Sequence, residues 1–209
     1  MIFTGKLHII VLRGENMIKT TAMLLEELSS YASPKTKLSR MVQNGECYQI
    51  VRGIYETDRN VPPHLLAGSI YGPSYISFEY ALSYHGLIPE AVYMVTCACF
   101  DKKKKKRYET PFGIFTYRDV PSEVFPYFTE TKREGDYWYR IASPEKALCD
   151  LLYTITPVRN NEELNSLLFE DLRLDVNAVR HLNRHVIAEL TSGYHSTNVK
   201  KLYAFLGRY

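Results

Sequence analysis

Thr36, Lys37, Ser39, Arg40 and Gln43 fall within one short segment, "SPKTKLSRMVQNG", and these are side chains that donate hydrogen bonds. If 34–43 is helical, Leu38, Met41 and Val42 share an inner stripe. The 3.6-residue period then sets Thr36, Arg40 and Gln43 on the opposite face, flanked by Lys37, Ser39 and Asn44. Hydroxyls and ammonium groups can hold phosphate oxygens, while Arg and Gln can also bond guanine and adenine edges in pairs. Lys35 and the helix N-terminus would lie beside a phosphate. Downstream, "CYQIVRGIYE" places Arg52 at the tip of a short hairpin, where it could touch a nucleic-acid backbone. The competing reading of the helix is an amphipathic element whose polar face meets only water.

A second group is the unbroken cationic row Lys102, Lys103, Lys104, Lys105, Lys106 and Arg107. Adjacent cations repel and disfavour regular packing, so the row reads as the solvated end of a hairpin between "AVYMVTCACF" and "FGIFTYRDV". The alternative is an auxiliary, salt-sensitive contact to DNA or RNA. The chain's formal charge is +3. Since the row alone contributes six positive charges, the remainder is net acidic, and the basic character is local.

Signals for catalysis are weaker. Gly68-Ser69 lacks the following carboxylate pair that a metal-assisted nucleotidyl transfer needs. Asp119 with Glu130 and Lys132 has the outline of a metal-dependent nuclease site, although short patterns of this sort often arise by chance. Of the scattered histidines, only His181 and His185 share a helical spacing, and no nucleophile stands beside them. Cys97 and Cys99 would share one strand face. A structural zinc needs four ligands, and no second pair follows, so the four cysteines read as reduced core thiols. No catalytic residue, cofactor or metal is assigned.

The elements that must position these groups follow from patterning. The chain has 209 residues, 45% apolar and 23% charged, with 17 tyrosines. That composition excludes disordered and fibrous classes and accommodates a small domain plus a medium one. "LHIIVL" at 7–12 is too short for a secretory core or a membrane span, which points to a cytoplasmic protein. Met17 begins a natural start, so 1–16 reads as an N-terminal extension. From Lys19 the pattern predicts a helix capped by Thr20 or Thr21, then a second helix capped by Ser33 with Pro34 at its first position, then the hairpin. Helix, turn, helix, hairpin is the back half of a winged helix-turn-helix, spanning 17–60.

"TDRNVPP" carries linker signals, and 61–209 reads as a larger α+β domain with a mainly antiparallel sheet and helices. Within it, "AVYMVTCACF" predicts a strand covered on both faces, and "FPYFTET" with "YWYRIA" a hairpin. Ser77, Ser143, Asn161, Asp175 and Ser196 are the predicted helix caps. Tyr71, Tyr75, Phe78, Tyr80 and Tyr84 form an aromatic cluster, with Phe78, Ala81, Leu82 and His85 on one inward stripe.

Four fragments in order, "VRGIYE", "GSIYGPSYISFEYALSYHGLIPE", "FGIFTYRDVP" and "IASPEKALCDLLY", resemble the AbiEi antitoxins of bacterial type IV toxin–antitoxin systems. The resemblance runs from about Met17 to the C-terminal helices. It implies an N-terminal winged helix-turn-helix that binds operator DNA and represses its own operon. It also implies a C-terminal domain that counters a nucleotidyltransferase toxin without a stable complex, in a system linked to abortive phage infection. On that basis operator contact falls to Lys35, Thr36, Lys37, Ser39, Arg40, Gln43 and Arg52, with Gly53 supplying the wing-tip turn. The family's bracing first helix has no counterpart after Met17.

Overall fold

The computed structural model describes residues 18–207, so the predicted extension at 1–16 lies outside the described residues. Strand β1 (Lys19–Thr20) runs straight into helix α1 (Thr21–Glu27), and the Met23 N–H donates to the Thr20 hydroxyl at 3.3 Å. Thr20 is therefore the cap. Helix α2 (Pro34–Gln43) starts on Pro34, whose missing N–H would have had no helical partner. Ser33 does not cap it through its side chain; the Ser33 hydroxyl instead lies 2.8 Å from that of Thr36. At the other end, Gly45 at φ +71° lets the Glu46 N–H reach the Met41 carbonyl at 2.9 Å and closes the helix.

Strands β2 (Tyr48–Val51) and β3 (Ile54–Glu56) form a hairpin turning at Arg52-Gly53, and β3 also pairs antiparallel with β1, giving the order β1-β3-β2. Gly53 sits at φ +87°, a left-handed conformation that side-chain-bearing residues rarely adopt, and its carbonyl accepts from the Thr21 N–H at 3.0 Å. The unit's own core is small: Leu24, Leu28, Leu38, Met41, Cys47 and Tyr55.

This unit leans on the rest of the chain. Ile50 of β2 belongs to the larger core, and Tyr48 meets Phe112 edge-on at 6.0 Å. The Arg59 guanidinium lies over both rings, at 5.3 and 5.6 Å, and donates to the Pro111 carbonyl at 2.6 Å. Glu56 is wholly buried; it accepts from the Thr57 and Asp58 N–H groups at 2.7 and 2.9 Å and from the Tyr137 hydroxyl at 2.8 Å. The segment read as a linker is thus tied down through Thr57, Asp58 and Arg59, and its Val61 is buried in the larger core. A core this small stands to gain from that shared packing.

After a tight turn at Pro63–Leu66 come α3 (Ala67–Ile70), strand β4 (Tyr75–Ile76) and α4 (Phe78–Tyr84). Strands β5 (Val95–Cys99), β6 (Lys106–Thr110), β7 (Gly113–Asp119), β8 (Thr129–Glu134) and β9 (Tyr137–Ala142) complete a six-stranded sheet in the order β6-β7-β5-β4-β9-β8. The sheet is mixed. Three pairings are antiparallel (β4–β5, β6–β7, β8–β9), and two are parallel (β5–β7, β4–β9). Every residue of β5 is buried, as its two-faced apolar pattern predicts, and the β8–β9 hairpin forms as expected.

Helices α5 (Pro144–Thr154), α6 (Asn161–Ser166), α7 (Val176–Arg180), α8 (Arg184–Tyr194) and α9 (Thr197–Leu206) follow, so the molecule is α+β. Ser143 and Asp175 cap as predicted, accepting from Lys146 and Ala178 N–H groups, while Asn160 takes the role expected of Asn161. Ser196 stands at the start of α9 without a side-chain cap bond, and α8 has no counterpart in the sequence reading. His181 lies just past the end of α7 and His185 in the first turn of α8, parted by Asn183, whose side chain caps α8.

Candidate nucleic-acid interface

Leu38 and Met41 hold α2 against α1, and this fixes which face remains outward. Lys35, Thr36, Ser39, Arg40 and Gln43 are all exposed, and Lys37 is half-buried. Two of the hydroxyls have local partners: Ser39 donates to the Lys35 carbonyl at 3.1 Å, and Thr36 pairs with Ser33. Lys37 reaches Glu46 at 3.4 Å and lies 5.8 Å from the centre of the Tyr31 ring. Lys35, Arg40 and Gln43 form no side-chain hydrogen bond or ion pair among the described residues. Arg52 is exposed at the hairpin tip, beside Gly53. A face carrying unpaired ammonium, guanidinium and amide groups can accept a polyanion without first breaking internal contacts.

The lysine row is placed differently from the reading of its sequence. Strands β5 and β7 are parallel neighbours, Val95 opposite Phe115 and Cys99 opposite Asp119, so they cannot be the two arms of a hairpin. The row instead forms the connection from β5 to β6, and Lys106 and Arg107 already belong to the edge strand β6. Asp119 pins this connection, its Oδ2 accepting from the Lys102 and Lys103 N–H groups at 2.9 and 2.5 Å. Lys106 and Thr110 end β6 about 14 Å apart, and the wing contact at Phe112 lies just beyond Thr110.

Asp119, Glu130 and Lys132 are not brought together. Strands β7 and β8 are separated by three others, about 19 Å across the sheet. Glu130 and Lys132 pair with each other at 3.2 Å, while Asp119 is committed to the loop and to the Cys99 thiol at 3.0 Å. The proposed nuclease constellation therefore does not form. Among the described residues, no cluster of three His, Cys, Asp or Glu could hold a metal ion. All four cysteines are buried; burial pushes the Cys97 and Cys149 thiols far up, and burial with the Asp119 contact pushes Cys99 up to about 12. Thiols held protonated in this way are poor nucleophiles and poor ligands.

The sequence reading missed the most polar part of the core. Lys146 and Asp150 form an ion pair at 2.9 Å with no exposed side-chain surface on either partner. Asp150 also accepts from the hydroxyls of Tyr194 at 2.5 Å, Tyr75 at 3.0 Å and Ser77 at 2.6 Å. Ser77 is thereby diverted from capping α4. Burial, then the Asp150 charge, raises the phenols of Tyr75 and Tyr194 well above their ordinary range. Neither charged side chain has exposed surface, and the cluster ties β4, the start of α4, α5 and α8 together. Its signal was present in "SPEKALCD": a Lys and an Asp four residues apart amid apolar neighbours lie on the same helix face.

No protein-family model matches the chain, and no curated protein matches it significantly. No helix among the described residues is long and apolar enough to cross a membrane.

Proposed function

We propose that this chain is an antitoxin of the AbiEi type and an autoregulatory, operator-binding repressor acting in the bacterial cytoplasm. The observation that carries the reading is the outward polar face of α2, with Lys35, Arg40 and Gln43 unpaired and the Arg52 tip exposed on the same small unit. The order β1-α1-α2-β2-β3, with β3 between β1 and β2, supports the reading of this unit as a winged helix-turn-helix from its first strand onward. In such folds the second helix of the pair enters the major groove and the hairpin touches the backbone. The functional partner is a nucleotidyltransferase toxin, countered without a stable complex. The role requires no catalytic residue, cofactor or metal from this chain.

Two measurements test it. Purified full-length chain should retard DNA from upstream of its own gene at concentrations where unrelated DNA of equal length moves freely. Co-expression should also restore growth to cells expressing the adjacent nucleotidyltransferase gene. Equal retardation of both DNAs defeats the repressor reading, and unrelieved toxicity defeats the antitoxin reading.

A further inference from the structure

Strand β6 is an edge of the large sheet: β7 pairs with one side of it, and among the described residues no strand pairs with the other. An edge strand leaves the N–H and C=O of alternate residues turned outward. The small unit meets this hairpin at its turn, through Tyr48 on Phe112 and Arg59 on the Pro111 carbonyl. Lys106, Arg107 and Glu109 remain exposed.

Cross-strand register gives the two faces of this edge different chemistry. Arg107 stands opposite Thr116, and Thr116 opposite Thr96, so these three share one face. Charge is balanced there: Arg107 bonds Glu109 at 3.1 Å, and Arg118, two residues beyond Thr116, pairs with Glu79. The same face carries an open cleft walled by Val92, Tyr93 and Met94, with Tyr93 89% exposed. The opposite face is cationic. Lys106 and Tyr108, opposite Tyr117 and Phe115, project to it. Tyr108 meets Tyr71 at 6.1 Å, and Lys102 Nζ lies 5.4 Å from the centre of the Tyr71 ring. Lys102 and Lys106 therefore stand on one face, and neither has an ion pair among the described residues.

We propose that β6 accepts an extended acidic segment of a partner protein as an added strand, its carboxylates alternating with apolar side chains. In strand addition the main chain supplies affinity and alternate side chains supply specificity. With a side-chain period of two, every second residue of the segment meets Lys102 and Lys106, and the others enter the apolar cleft. Lysines on an edge ward off other strands in general. Gathered on one face, they repel basic segments and favour acidic ones, so the charge selects the partner. The proposal is independent of the operator-binding reading, because it uses neither α2 nor the Arg52 tip.

Titration of the full-length chain with a capped synthetic octapeptide of alternating Glu and Val tests it. The peptide should bind saturably with Kd of about 0.1 mM or tighter. Amide hydrogen exchange at 106–109 should slow when it binds. A peptide of the same composition, with all Glu before all Val, should bind about tenfold more weakly or worse, because no register then matches both faces. N-methylating one residue type of the alternating peptide should abolish binding, while N-methylating the other is tolerated, since an edge pairs through alternate residues. Lys102→Gln with Lys106→Gln should weaken the alternating peptide about fivefold or more. Its unfolding midpoint should match wild type, as no ion pair is lost. The proposal is overturned if the alternating peptide does not bind, if the blocked peptide binds as well, if both N-methylated forms bind, or if exchange at 106–109 is unchanged. A single-stranded oligonucleotide of equal charge that binds more tightly and displaces the peptide overturns it in favour of a nucleic-acid contact.

Discussion

Lys146 and Asp150, one turn apart on α5, hold opposite charges 2.9 Å from each other inside the protein, with three hydroxyls closing round the carboxylate. Removing one partner strands the other charge without water. Lys146→Met or Asp150→Leu should each cost about 3–5 kcal/mol in urea unfolding. The double variant should lose clearly less than the sum of the two, because neither charge is then left alone. Additive losses would mean that the pair does not act as a unit.

Two phenols of the same cluster, together with the Cys99 thiol of β5, set an alkaline limit. Tyr75 and Tyr194 have phenols raised well above the ordinary 10.0, and Cys99 is raised from 9.0 to about 12. The folded state therefore retains protons that the unfolded chain releases. Stability from these groups is complete below pH 9 and declines as pH climbs past 9 for the thiol and past 10 for the phenols. Urea midpoints should fall steadily across this window. Tyr194→Phe should be less stable at neutral pH by about 1–3 kcal/mol yet show a shallower alkaline decline.

On the α2 face, Arg40→Ala with Gln43→Ala should abolish selective retardation of the upstream DNA. The unfolding midpoint should stay within about 0.5 kcal/mol of wild type, since both side chains are exposed. A bidentate contact to a base discriminates by about 1–3 kcal/mol, so losing two should erase most selectivity. Wild-type retardation by the double variant would show that another surface reads the DNA.

Changing Lys102 to Lys106 into Gln should leave the salt dependence of that retardation unaltered. The row lies at the far end of β6 from the wing contact. A smaller slope of log affinity against log salt would instead count the phosphates that the row neutralises.

Arg59 and Tyr137 fasten the small unit to the large one. Arg59→Ala removes two ring contacts and a hydrogen bond, and should cost about 1–2 kcal/mol. Limited proteolysis between 57 and 62 should quicken in this variant. Unchanged cleavage would mean that the remaining contacts suffice.

The sequence alone determined what depends on near neighbours. Periodicity placed α1, α2 and the β2–β3 turn; Ser143 and Asp175 announced their helices; the unbroken apolar pattern of β5 foretold a strand buried on both faces. Tertiary structure decided everything that depends on partners far along the chain. Parallel pairing of β5 with β7 turned the lysine row from a hairpin tip into a crossing connection. Sheet order separated Asp119 from Glu130 and Lys132, and the meeting of α5 with β4 and α8 gave Lys146 and Asp150 their hydroxyl partners. Local propensity acts over a few residues, whereas strand order and buried polar networks arise only when distant segments share one core.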